Sequence, residues 1–392
     1  ISYASDDYYG LLDPNEGAWA SSASDALDIG IGRFVVRTLD DARAVVDKIY
    51  RYEELDIAGL DVTVHNCADG GAATVTSPDW RNRIVFVADD EDSNMHLNQA
   101  DQLAELVDTM YPEYNLTKIY FDSFVQESTP GGQRYPEANT SLNTEVQRGA
   151  LMVNYTGHGG ELGWAHERVL GNSDINSWVN FSNLPVFVTA TCEFTRYDDP
   201  SRISAGELVH LNPNGGGIAL FTTSRLVYSA PNFTLNRNFY LNLLVEQTWG
   251  PPTMGDVIRM TKVASGGSVN NRNFILIGDP AQRLAFPLHN VETLTINGEN
   301  VNSLTDTINA LQLVTVTGRM RNRNGQLMED FSGTVYPTVF DKTTRVSTLA
   351  NDPSSSVRQF TVQKNLIYKG KASVSSGAFS FSFVVPRDIS YN

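Results

Sequence analysis

Short apolar runs that stop abruptly, separated by stretches with helical spacing, set the rhythm of the chain from Arg83 to about residue 286. Residues 84–88 run into Asp89-Asp90-Glu91-Asp92, residues 151–153 into Asn154-Tyr155-Thr156-Gly157-His158-Gly159-Gly160, and residues 185–190 into Thr191-Cys192-Glu193. Residues 118–124, 217–222 and 274–277 are further runs of this kind. A short apolar run closed by glycine or polar residues predicts a strand buried on both faces. Between the runs, Leu97, Ala100, Leu103, Ala104, Val107 and Met110 share one helical face. Residues 144–149, 204–207, 235–246 and 253–264 mark further helices or helix starts. Such alternation predicts an α/β/α sandwich with a mostly parallel sheet and helices on both sides.

The flanks read differently. Residues 1–32 are rich in Tyr, Asp and Gly and predict surface loops, with a short extended entry at 32–36. Thr38 and Asp41 form a capping box ahead of a stripe of Ala42, Val45, Val46, Ile49 and Tyr50, so a helix starts there. Residues 61–67 and 72–77 are weakly patterned. After Phe286-Pro287 the period changes to two: residues 291–296, 311–319, 333–340, 356–363 and 372–385 alternate apolar and polar side chains, with turns at Asn297-Gly298 and Asn324-Gly325. That texture predicts an all-β sandwich of Ig-like type. Two domains follow, residues 1–286 and 287–392.

Composition narrows the function. The formal charge of −16, with no Lys/Arg cluster, excludes nucleic acid as a partner. No run reaches the roughly eighteen apolar residues of a membrane span. The chain starts at Ile1 with no signal peptide, which predicts a processed or shortened piece. Two cysteines, Cys67 and Cys192, make no disulfide framework.

In an open α/β sheet ligands bind where strands end, and two of these ends carry His158 and Cys192. A thiolate nucleophile needs a nearby acid/base, and an imidazole supplies both positive charge and a proton for the leaving group. Gly159 and Gly160 have no Cβ, so backbone N–H groups can approach a substrate oxyanion. Taken singly, a strand cysteine is more often a small core residue; the pairing at two strand ends is what favours chemistry. The acidic run from Asp89 through Asp90 and Glu91 to Asp92 follows a third strand. It is a solvated strand end, an orienting carboxylate for the imidazole, or a set of hard-oxygen calcium ligands. His65-Asn66-Cys67 is half a metal site without a second half. His158 and His166 share no helical face, unlike a HExxH pair. No metal site and no cofactor is therefore expected, calcium excepted.

Asn154-Tyr155-Thr156-Gly157-His158-Gly159 resembles the gingipain-type cysteine peptidases, a caspase-like family. Tyr8-Tyr9-Gly10, Ile31-Gly32-Arg33-Phe34, Ala190-Thr191-Cys192 and Gly278-Asp279-Pro280 match as well, across about residues 1–286. The resemblance implies Cys192 as nucleophile, His158 as acid/base, and the backbone N–H groups of Gly159 and Cys192 as oxyanion donors. The acid that orients the imidazole falls within Asp89 to Glu91. His96 stands where arginine-specific members carry the acid that reads a basic side chain, and with Trp164 it is a candidate substrate-pocket residue. The family also implies further strands before Ile1 and a continuation of the β domain beyond Asn392.

Within the family, several phrases resemble the signal peptidases (sortases) of the type IX secretion system. These are Asp89-Asp90 with His96-Leu97, Gln99-Ala100-Asp101, Val335-Tyr336-Pro337-Thr338-Val339 and Lys369-Gly370-Lys371-Ala372-Ser373-Val374. They imply protein substrates bearing a C-terminal sorting domain, an anionic lipopolysaccharide amine as acceptor, other outer-membrane secretion components as partners, and a place on the bacterial cell surface. Two other functions compete: a caspase-like binding module without catalysis, and a general secreted gingipain-like protease.

Overall fold

The computed structural model describes residues 4–14, 16–17, 25–58, 62–66, 71–75, 79–245, 250–287, 289–303 and 307–389. It divides into two compact units. One comprises residues 1–285 with 347–360, the other residues 286–346 with 361–392. The segment 347–360 thus leaves the second unit and packs in the first, which the alternating pattern around residues 356–363 does not predict.

The first unit is built on a six-stranded sheet. Its spatial order is Phe274–Ile277, Ala219–Thr223, Val186–Ala190, Met152–Thr156, Arg83–Ala88 and Asn115–Tyr120. All neighbours are parallel except the first pair, which is antiparallel. Arg83–Ala88, Met152–Thr156 and Val186–Ala190 are buried at every position, as strands of a sheet covered on both faces are. On one face Val85, Val87, Val153 and Phe187 join a core with Ala138, Leu142 and Val146 of helix Pro136–Arg148. On the other, Phe86 meets Tyr240 and Phe221 meets Phe239, both from helix Ser229–Leu243. Helix Met95–Met110 buries Leu97, Ala100, Leu103, Ala104 and Val107, while Met110 is exposed.

Local details depart from the pattern in two places. Helix Pro136–Arg148 begins well before residue 144, since the proline supplies a first turn that the apolar spacing does not mark. Residues Val62–Asn66 and Gly71–Val75 form an antiparallel hairpin where the sequence is weakly patterned. Cys67 and the side chain of His65 lie outside the described residues. Two family phrases distant in sequence meet: Arg33 N–H donates to Leu276 O, Gly278 N–H to Arg33 O, and a Cβ on Gly32 would sit 2.5 Å from Gly278 O.

The second unit is antiparallel throughout its main sheet. Its order is Glu299–Asn300, His289–Ile296, Leu313–Asn322, Ala378–Val384, Ala372–Ser375 and Gly333–Val335. Val314, Val316, Phe383 and Val385 form one cluster inside it, and Met320, Val374 and Phe379 another. Among the described residues no helix is long and apolar enough to cross a membrane.

Helix Leu39–Ala58 starts at the expected box, with Thr38 N–H donating to Asp41 Oδ2 and Asp41 N–H to Thr38 Oγ1. Its apolar stripe does not all face inward: Val45 and Tyr52 are buried, whereas Val46 and Tyr50 are exposed. Lys48 takes the inward position instead, its Nζ donating to His210 O at 2.8 Å. Burial alone pushes its pKa down to about 7. Between that value and the ordinary 10.5 the unfolded chain binds more protons, so this group's contribution to stability improves as pH rises through that window. Lys48→Met is therefore expected to stabilise by about 1–3 kcal/mol at pH 7, with a smaller gain at pH 9. Urea midpoints of both chains at the two pH values check this; a gain that grows with pH contradicts it.

Candidate active site

Three neighbouring strands deliver the candidate residues to one edge. Ala190 of Val186–Ala190 pairs with Thr156 of Met152–Thr156, and Thr156 pairs on its other side with Ala88 of Arg83–Ala88. Cys192 and His158 each stand two residues beyond a paired position, and Asp89 stands one beyond. The strand ends are tied together past the sheet: Asp89 N–H donates to Thr156 O at 3.1 Å and Gly157 N–H to Ala190 O at 3.4 Å.

The histidine loop is held from several directions. His158 N–H donates to Asp89 Oδ2 at 2.7 Å. Its carbonyl accepts from the Tyr155 hydroxyl at 2.6 Å and from Ala165 N–H at 2.9 Å. Gly159 lies so close to the residue before the cysteine that a Cβ would come within 2.6 Å of Thr191 Oγ1 and 2.9 Å of Gly163 O. The glycine is needed for that approach.

The imidazole is partly exposed, and its Nε2 lies 3.1 Å from Asp92 Oδ2 and 3.5 Å from Glu91 Oε2. An Nε2–H donated to a carboxylate leaves Nδ1 with the lone pair, the form that can take a proton from a thiol. The acid nearest the ring is therefore Asp92, within the acidic run 89–92 but one residue beyond the Asp89 to Glu91 that the family resemblance implies. The backbone explains the shift: Asp92, Ser93 and Asn94 all adopt left-handed conformations, with φ of 58°, 57° and 65°, and curl Asp92 back toward the ring. Asp89 serves the backbone of His158 instead, and Asp90 Oδ2 accepts from the Tyr135 hydroxyl at 2.6 Å. Glu91 is shared with His166, whose Nδ1 lies 2.8 Å from its Oε1.

Three consecutive non-glycine residues in that region cost roughly 1 kcal/mol or more each, and persist only when their surroundings hold them. The segment 347–360 supplies part of that hold. Ser355 Oγ donates to Asp90 O, Ser356 N–H to Asn94 Oδ1, and Ser93 N–H to Ser354 Oγ at 3.2 Å. The segment is itself anchored on Asp122, which accepts from Leu349, Ala350 and Asn351 N–H groups.

Cys192 is half-buried, its Sγ 3.6 Å from Val227 O. Thr223 Oγ1 donates to Thr191 O, and Glu193, at φ 50°, turns the chain away after the thiol. The thiol and the imidazole reach different partners here; catalytic hydrogen bonds commonly close only when substrate binds.

Both candidate pocket residues are buried. Trp164 is fully buried, stacked on Tyr155 at 4.3 Å as part of the core. His96 is only 5% exposed and sits edge-on to His158 at 5.0 Å between ring centres. Burial, then the neighbouring His158, push its pKa down to about 4, so it is neutral at pH 7. Glu167, which the sequence does not single out, is buried beside Asp89 and Asp90. Desolvation raises all three, Asp89 well above the usual carboxylate range and Glu167 to about 7. Among the described residues, side-chain groups able to hold a metal are Asp89, His96 and His158; Asp89, Asp90 and Glu167; and the less buried Asp13, Glu16 and Asp28.

A parallel sheet with a cysteine and a histidine on adjacent strand ends defines a caspase-like peptidase architecture. The chain belongs to peptidase family C25, whose model matches residues 2–285. No curated protein sequence matches it. Its fold is similar to that of the Arg-specific cysteine proteinase gingipain R (RgpB), at 16% identity and a TM-score of 0.53, covering 98% of this chain and 73% of that one. A complex of Porphyromonas gingivalis RgpB pro- and mature domains matches at 15% identity and 0.53, covering 99% and 76%. Dimeric latent PorU from Porphyromonas gingivalis is 24% identical over the whole chain, which spans 30% of that protein; the TM-score of 0.32 bears no weight for the fold.

Gly159→Ala is expected to destabilise the chain by about 1–3 kcal/mol through overpacking against Thr191. Adding Thr191→Ala removes the nearer contact, so the double variant recovers part of the loss; thermal unfolding of the four chains measures the coupling. Strict additivity contradicts the contact.

Proposed function

We propose that the chain is a cysteine endopeptidase that uses Cys192 as nucleophile and His158 as acid/base, with Asp92 and Glu91 orienting the imidazole. The observation that carries this reading is the register that sets the ends of three adjacent parallel strands side by side. His158 Nδ1 takes the thiol proton as sulfur bonds to the scissile carbonyl carbon. Backbone N–H groups of Gly159 and Cys192 receive the oxyanion. Collapse of the tetrahedral species breaks the C–N bond, and the imidazolium gives its proton to the leaving amine. The remaining thioester is open to water or to an amine, with the imidazole now accepting the attacking group's proton.

For the substrate, we read a C-terminal sorting domain on secreted cargo, removed at the outer-membrane surface in the manner of PorU-type signal peptidases. The supporting features are the sequence phrases around Asp89-Asp90, His96, Val335–Val339 and 369–374. An amine of an anionic lipopolysaccharide is then the alternative acceptor to water. His96, buried and neutral, gives no negative charge to hold a basic side chain, which favours a specificity other than Arg or Lys.

Incubating the chain with cargo carrying its sorting domain, followed by mass spectrometry of the product termini, tests this reading. The wild type is expected to release the sorting domain and the Cys192→Ala chain to lower the rate at least ~10³-fold. Cleavage that survives in Cys192→Ala sinks the catalytic assignment. Equal digestion of unrelated unfolded proteins sinks the sorting-domain reading and leaves a general protease.

A further inference from the structure

We infer that Glu161 is a positioning residue for the cleavage reaction. By pairing with Arg196 and Arg202 it fastens the hairpin after His158 to the loop after Cys192, and so sets the spacing of the two oxyanion donors. The role in catalysis rests on the peptidase reading; the fastening itself does not. Gly159 opens a hairpin of minimal length, in which Gly159 pairs with Trp164 and Gly160 with Gly163. Three of these four paired positions are glycine, which loses more freedom on folding than any other residue. A two-stranded ribbon is marginal without support from outside. One strand has that support, since Gly163 and Trp164 also pair with Gly171 and Leu170, and Trp164 stacks on Tyr155. The end left to secure is the turn, Glu161-Leu162.

That turn is fastened at three points. Glu161 Oε1 accepts from Arg196 Nη1 at 2.8 Å. Arg202 Nε lies 3.2 Å from Oε2, close enough for an ion pair though not aligned for a hydrogen bond. The Glu161 carbonyl accepts from Ala205 N–H at 2.7 Å. All three partners follow Cys192 in the chain. The turn is also sorted against solvent: the Glu161 side chain is 13% exposed, whereas its neighbour Leu162 is 61% exposed. Water alone would favour the reverse, so the arginines are what hold the carboxylate inward. Their loop is anchored in turn, with Arg37 Nη2 donating to Arg202 O at 3.1 Å and to Glu207 Oε1 at 2.7 Å.

A single exposed ion pair contributes little, but here one residue holds two guanidinium groups and a backbone N–H. Gly159 N–H and Cys192 N–H belong to the two segments so joined. An oxyanion gains from its donors only when both lie at hydrogen-bond distance from it, and losing one lowers kcat about 10²–10³-fold. His158 is held separately, by Asp89, Tyr155 and Ala165. Releasing the turn therefore displaces the Gly159 donor and leaves the base in place.

The test compares the full chain with Glu161→Gln, with Arg196→Gln plus Arg202→Gln, and with all three changes together. Kinetics use whichever substrate the wild type cleaves, sorting-domain cargo or unrelated unfolded protein. Glu161→Gln is expected to lower kcat about 10–100-fold and to change KM less than about twofold. The two-arginine variant should fall by a similar factor and the triple variant no further, because the three changes open one latch. Alkylation of Cys192 by iodoacetamide builds no oxyanion, so its rate in Glu161→Gln should match the wild type. Effects that multiply in the triple variant overturn the inference, because Glu161 would then act without the arginines. So does an unchanged kcat, or an alkylation rate that falls in step with kcat. Hydrogen exchange at residues 159–164, measured by mass spectrometry in the Cys192→Ala chain, should quicken with Glu161→Gln whether or not the chain cleaves anything. Unchanged exchange overturns the latch and leaves the peptidase reading standing. Quickened exchange in a chain whose wild type cleaves neither substrate removes the peptidase reading, and the positioning role of Glu161 with it.

Discussion

Everything at the candidate site depends on the register of three parallel strands. Because Ala88, Thr156 and Ala190 pair in one row, the residues immediately beyond them must share one edge. A two-residue overrun on neighbouring strands brings His158 and Cys192 out at the same level. Full burial of these strands on both faces leaves little freedom to slip, since a one-residue shift would exchange every side chain between faces. The sheet thus fixes positions to which no single loop could hold its residues.

What the register leaves open is settled by close contacts at the loops. Gly159 against Thr191 joins the histidine loop to the cysteine loop, and Asp89 against His158 joins it to the acidic loop. The acidic loop is the strained member, with three left-handed residues in a row. It is held from outside by serines that lie some 260 positions further along the chain. The carboxylate facing the imidazole is therefore positioned by residues that a reading of the peptidase segment alone would not include.

The strand ends were legible because buried parallel strands write themselves as apolar runs, and the polar residue that breaks each run marks the edge. His158 and Cys192 could be paired on that basis. Asp92 could not be told from Asp89, Asp90 and Glu91, because its approach to the ring depends on backbone conformations that four adjacent acids do not encode. Trp164 follows a glycine-rich loop and looks available, yet its ring completes an aromatic stack with Tyr155. Lys48 sits in an apolar stripe as a charge, which pattern reading places outside; the long side chain reaches a backbone carbonyl instead. Segment 347–360 carries an alternating pattern that gives no sign of which unit it joins.

The central claim is that the imidazole and its carboxylate act on the Cys192 thiol as one assembly. The rate of iodoacetamide alkylation at Cys192, followed on its own peptide by mass spectrometry from pH 5 to 9, reads that coupling directly. The account predicts that wild type reacts substantially faster than His158→Ala near neutral pH, with Asp92→Asn between them, and that the three converge at high pH. Superimposable profiles for all three chains would contradict it.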